Sequence, residues 1–90
     1  MLEIIVAEEF QRLYSELPSH IQKKAEKKEE VFRKNPFHPS LHTEKLEPKG
    51  KQVWSFRVDK SYRIAFRFIR GDKVLFLAVE PHHWIYKIHF

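Results

Sequence analysis

Ninety residues with a formal net charge of +5, 42% hydrophobic and 14% aromatic side chains predict one small folded domain over residues 1–90, and neither a disordered basic tail nor a multi-domain enzyme is expected. The positive charge points to an acidic partner, and six histidines increase it below neutral pH. With no cysteine, a disulfide framework, a thiolate zinc finger and a Cys nucleophile are excluded together, and a reducing cytoplasm is the expected compartment.

Leu2, Ile4 and Val6 alternate with Glu3 and Ile5 and predict a short strand. Phe10, Leu13, Tyr14 and Leu17 follow at helical spacing. Leu17-Pro18-Ser19 interrupts that helix, and a second is expected from His20 to Lys34 with Ile21, Ala25, Val31 and Phe32 inward. Its Glu29–Arg33 and Glu30–Lys34 pairs, worth about 0.3 kcal/mol each, read the Lys/Glu run as a solvated face. Asn35-Pro36 stops the helix, and Pro36 to Pro39 is an irregular connection. Strands are expected over His42–Glu47, Gln52–Val58, Tyr62–Ile69 and Val74–Val79, with turns at Pro48-Lys49-Gly50-Lys51 and Gly71-Asp72. Val74–Val79 is the longest apolar run, far short of the roughly 20 residues of a membrane helix. No signal-peptide pattern opens the sequence, so a soluble protein without membrane association is expected.

Strand parity assigns the faces. Trp54, Phe56 and Val58 share one face, Tyr62, Ile64, Phe66 and Phe68 another, and both pack on the helices. A hairpin centred on Lys60 then sets Arg57 opposite Arg63 on the other, open face. Like charges directly opposed cost up to about 1 kcal/mol, so an anion between them is one reading. The next hairpin matches Phe68 with Leu75, Phe66 with Leu77, Ile64 with Val79 and Arg63 with Glu80, which offers a plain ion pair as the other reading. The same register leaves Arg67 facing Phe76 and exposes Val74, Phe76 and Ala78 as an apolar patch for a partner.

The order strand, helix, helix, antiparallel sheet, with Trp54-Ser55-Phe56-Arg57-Val58, Ser61-Tyr62-Arg63-Ile64 and a terminal His82-His83-Trp84-Ile85-Tyr86, resembles the RelE/ParE toxin superfamily across essentially the whole chain. The resemblance implies an α+β fold, two N-terminal helices on a twisted antiparallel sheet. It also implies the toxin of a type II toxin–antitoxin pair, a ribosome-dependent endoribonuclease that cuts messenger RNA. By position, Arg63 matches the arginine that contacts the scissile phosphate, and Arg57 a basic residue that stabilises charge. Tyr86 matches the C-terminal tyrosine of RelE-like members. Ser55 departs from the pattern, standing where RelE has a second lysine. Trp54-Ser55, Glu44 ahead of Leu46 and a C-terminal histidine are similar instead to the YoeB branch, where a carboxylate and a histidine share proton transfer.

Metal-independent RNA cleavage asks for these types: a base for the 2′-OH, cations for the developing charge and an acid for the leaving 5′-oxygen. Arginine binds phosphate in a bidentate way. His83 is the preferred acid or base with His82 in reserve, since adjacent strand-end residues point to opposite sides. Tyr86 either stacks on a base or belongs to a packing segment, and parity sends Glu44 with Leu46 toward the core side. Lys45, Lys49, Lys51 and Arg67 are candidates for RNA phosphates, although edge lysines also solubilise a sheet. His38 and His42 have an H-x3-H spacing but no obvious third ligand, so neither metal nor cofactor is expected. The expected partners are a cognate antitoxin, covering the apolar patch and the cationic cleft, together with the ribosome and its messenger. The free toxin is expected as a monomer. The alternatives are a ParE-like gyrase inhibitor without nuclease activity and a non-enzymatic RNA or protein adaptor.

Overall fold

The computed structural model describes residues 2–46 and 52–85. In chain order they form β1 (Glu3–Val6), α1 (Glu8–Ser15), α2 (Ser19–Lys34), a 3-10 turn (Pro39–Leu41), β2 (Glu44–Lys45), β3 (Trp54–Arg57), β4 (Tyr62–Phe68), β5 (Lys73–Pro81) and the single turn α3 (His82–Ile85). The sheet order is β1-β5-β4-β3-β2. Neighbours are antiparallel except β1, which pairs parallel to β5 through Ile4 with Val74 and Val6 with Phe76. A parallel partner needs a crossover rather than a hairpin, and the α1–α2 pair begins that excursion.

The α+β architecture expected from the sequence is present. Phe56, Val58, Ile64, Phe66, Val74, Phe76 and Val79 are buried with Phe10, Ile21, Ala25 and Phe32 of the helices. Phe32 is the hub, its ring centroid 4.7 Å from Phe56, 4.9 Å from Phe66 and 5.5 Å from Phe76. Stacked and edge-on aromatic contacts of this kind add about 0.5–1.5 kcal/mol each beyond area burial.

The β4–β5 register corrects one expectation. Ile64 pairs with Val79 and Arg63 with Glu80 as parity requires, but an irregularity between Ala65 and Phe66 sets Phe66 opposite Phe76, Arg67 opposite Leu75 and Phe68 opposite Val74. An extra residue in one strand reverses the facing of everything beyond it. Val74 and Phe76 therefore enter the helix-side core, and Ala78 is buried beside its partner Ala65. The apolar patch assigned to these three residues does not exist. The gain is the burial of Phe76 against Phe10 and Phe32.

The opposite face is covered as well. Leu46, Val53, Ala65 and Ile85 form a second buried cluster with Leu77 packed against it, so α3 and the residues flanking β2 and β3 roof part of the face expected to be open. Glu44 and Leu46 do share a side, but it is this second one, since Glu44 pairs with Ser55 and Leu46 joins the second cluster.

Candidate nucleic-acid interface

Arg57 and Arg63 are cross-strand partners, as the parity argument expects, yet their side chains part. Arg63 is 2% exposed. Its Nε donates to Ser55 Oγ at 2.8 Å, and its Nη2 donates to the His42 carbonyl at 2.6 Å and the Ser55 carbonyl at 3.2 Å. The Glu44 carboxylate lies 3.9 Å from the same Nη2. Small neighbours make this possible, because Ser55 and Ala65 pair beside the arginine and leave room for a guanidinium to fold under the second cluster. The expectation of Arg63 open to a phosphate is thus corrected to a buried, hydrogen-bonded arginine. Glu80, its pairing partner in β5, belongs electrostatically to α1. Burial raises its carboxyl above the ordinary range, Glu9 raises it further, Arg12 opposes and Glu16 adds.

Arg57, half-buried, points instead into a depression of ≈ 490 Å³ lined by Lys24, Lys27, Lys28, Ser40, His42, Arg57, Val58, Asp59 and Lys60. His42, whose carbonyl carries Arg63, sits there in left-handed conformation with φ 47° and ψ 47°, uncommon outside glycine. Five cations face a single carboxylate. That carboxylate is already engaged: Asp59 Oδ1 accepts from the backbone N–H of Ser61 at 2.8 Å and Tyr62 at 2.9 Å, and Oδ2 lies 3.4 Å from Lys24 Nζ. Burial pushes the Asp59 carboxyl up, but the two N–H groups and the Lys24 ammonium outweigh it and hold the group below its ordinary value.

A second depression of ≈ 500 Å³ is lined by Lys60, Ser61, Tyr62, Pro81, His82 and His83, so the two share Lys60. Both histidines line it. They lie in a one-turn helix tied to the β3–β4 turn by the His82 N–H donating to the Ser61 carbonyl at 2.6 Å, and successive helical side chains do not alternate as strand residues do. The expected choice between His82 and His83 therefore falls away. The His83 ring also packs edge-on to Trp84 at 6.1 Å.

Other expected residues lie elsewhere. Lys45 Nζ sits 5.5 Å over the Trp54 ring, a cation–π contact. Arg67 is exposed four residues along β4 from Arg63, about 13 Å away by strand rise. Lys49, Lys51 and Tyr86 fall outside the described residues. The His38 ring accepts from the Ser40 N–H at 3.1 Å and caps the 3-10 turn. Sequence reasoning does not single out Lys24, Lys27, Lys28 and Lys60. The available signal is the i, i+3, i+4 spacing of the three α2 lysines, which puts them on one helix face.

A sequence model of HigB-like toxins, described as RelE-like toxins of the type II toxin–antitoxin system HigB, matches residues 8–82. The chain belongs to this family. A protein of Haemophilus influenzae described as uncharacterized is 37% identical over 46 residues, 51% of this chain, and the match spans 45% of that relative's length. The HigB-like chain also shares its fold with solved toxins. The RelB–RelE complex of Methanococcus jannaschii aligns with TM-score 0.69 at 25% identity over 92% of this chain and 95% of that one. The YoeB/ParE toxin of Agrobacterium tumefaciens aligns with TM-score 0.73 at 15% identity over 90% and 99%. YafQ from E. coli gives TM-score 0.74 at 10% identity over 96% and 99%.

Proposed function

We propose that this HigB-like chain is a toxin that cleaves messenger RNA on the ribosome without a metal and is neutralised by a cognate antitoxin. Family membership supports the toxin class. The observation that carries the chemistry is that Lys60 lines both depressions, the one that holds the cations around Arg57 and the one that holds the histidines of α3.

In this reading Arg57 and Lys60 hold the scissile phosphate. One of His82 and His83 takes the 2′-OH proton, O2′ bonds to phosphorus, and the P–O5′ bond breaks as a protonated group returns a proton to O5′. The products are a 2′,3′-cyclic phosphate and a free 5′-hydroxyl. The cations stabilise the charge that develops on the phosphoryl oxygens, and histidine suits the transfers because its ordinary pKa of about 6.5 lies near neutrality. Arg63 acts through His42 and Ser55, fixing the floor of the Arg57 depression from behind, and is a positioning residue. Tyr86 is proposed to position the substrate, and Lys45, Lys49, Lys51 and Arg67 to contact flanking RNA. The antitoxin does not dock on Val74 and Phe76, because both are buried.

Primer extension on a defined messenger in a reconstituted translation reaction tests the proposal. Cleavage is expected only with ribosomes, and Arg57→Gln or the double variant His82→Gln/His83→Gln should lower its rate by about 10²-fold or more. Intact messenger with folded wild-type protein would sink the nuclease reading in favour of a binding role such as gyrase inhibition.

A further inference from the structure

Three of the α2 lysines gather on one flank of the helix, while Arg33 sits on the acidic flank and pairs with Glu29 at 3.6 Å. Ile21, Ala25 and Phe32 face the core, Glu26 and Glu29 flank the side toward α1 with Gln11 and Tyr14, and Lys24, Lys27 and Lys28 flank the other side toward Arg57 and Lys60. Here three ammonium groups are gathered on the rim of a depression whose remaining cations, Arg57 and Lys60, come from the end of β3 and the β3–β4 turn.

We propose that Lys24, Lys27 and Lys28 form a binding ridge for backbone phosphates of the RNA strand flanking the cleavage point. Asp59 serves as the internal counter-ion that an incoming phosphate displaces from Lys24. The inference rests on the ribonuclease reading for the identity of the strand, and its own content is the ridge. The geometry suits the task. Lys28 Nζ spends one donor on the Ser40 carbonyl at 3.3 Å and keeps two. Lys24 remains about half exposed, at 53%, while it holds Asp59. Asp59 needs no help from Lys24 to keep its place, because the Ser61 and Tyr62 N–H groups hold its other oxygen. Exchange of the carboxylate for a phosphate therefore leaves the turn intact. Ser40 and His42 line the same depression, so the strand would run from the ridge past Arg57 and Lys60 to the histidines.

The test is fluorescence anisotropy of a short 2′-O-methyl oligoribonucleotide, which binds but has no 2′-OH to attack, measured across a salt series. Lys24→Gln/Lys27→Gln/Lys28→Gln keeps helix propensity and removes three phosphate contacts. It should weaken binding at least tenfold and flatten the log–log salt slope by about 2, given about 0.7 per contact for single strands. Lys34→Gln/Arg70→Gln/Lys73→Gln removes the same charge from other exposed positions and should leave the slope near wild type. An unchanged slope in the ridge variant, an equal fall in both variants, or absence of binding by the wild type overturns the ridge; the first outcome would assign the lysines to an acidic protein. Ridge-dependent binding by a wild type that cleaves nothing would overturn the nuclease reading alone and leave the ridge standing.

Discussion

Arg63 and Ser55 are buried neighbours on adjacent strands, joined by a 2.8 Å hydrogen bond from the guanidinium Nε to the serine Oγ. A buried cation is tolerated only when its donors are satisfied, and Ser55 supplies both its hydroxyl and its carbonyl. Ser55 thus has a structural role here, since a lysine ammonium at this place would face the Arg63 guanidinium in a buried space.

Ser55→Ala should therefore cost about 1–3 kcal/mol, the penalty of a buried donor left without its acceptor, read as a lower urea midpoint at unchanged m-value. A loss within about 0.5 kcal/mol, the range of ordinary surface substitutions, would mean that Arg63 is not held as described.

Phe76 tests the β4–β5 register. Buried against Phe10 and Phe32, it should cost about 3–5 kcal/mol when replaced by Ala, enough to unfold a domain of this size near physiological temperature. In the bulge-free register Phe76 would be exposed, and the same variant would melt close to wild type.

Asp59 should make stability fall in acid. Its carboxyl lies below the ordinary value in the folded chain, so its contribution is complete above the unfolded pKa of about 3.9 and is lost as pH falls through the lower folded pKa. Asp59→Ala should destabilise by about 0.5–1.5 kcal/mol at pH 7, with the gap between variant and wild type closing below about pH 4. Parallel melting curves at all pH values would contradict this.

Glu80 has the opposite sign. A carboxyl raised by burial and by Glu9 and Glu16 against Arg12 favours the fold below its unfolded pKa of about 4.3, and that contribution disappears as pH rises through the folded value. Glu80→Gln should raise the melting temperature at pH 7 and have little effect below about pH 4. A lower melting temperature at pH 7 would show that the Arg12 attraction dominates.

Gly71 has φ +69°, and no atom lies within 4 Å of the place a Cβ would take, so Gly71→Ala meets strain rather than a clash. The cost expected is about 1–2 kcal/mol for the left-handed conformation, checked by thermal melting; Gly71→Asn should cost less, since asparagine tolerates that region.

Local patterns carry much of this molecule. The periodicity of Phe10, Leu13 and Tyr14 and of Ile21, Ala25 and Phe32 places the helices, the alternation through Trp54–Val58 and Tyr62–Phe66 places two strands and their core face, though Phe68 at the end of β4 is exposed, and the hairpin arithmetic sets Arg57 opposite Arg63. Each depends only on backbone periods of 3.6 and 2, which a sequence states directly. The His82-His83-Trp84-Ile85 run looks like a strand end in sequence because nothing local marks a single helical turn after β5.

What the fold alone decided involves residues far apart in the chain. The bulge in β4–β5 appears only when Phe10 and Phe32 offer Phe76 a buried place, and parity counting has no way to see that reward. Arg63 is buried because Ser55 of β3 and the His42 carbonyl, from two other segments, meet around it. The lysines of α2 become a ridge only when the fold brings Arg57 at the end of β3 and Lys60 of the β3–β4 turn beside them. Sequence sets which residues share a face of an element; packing between elements sets which faces water reaches, and with it where a charge is free to bind a phosphate.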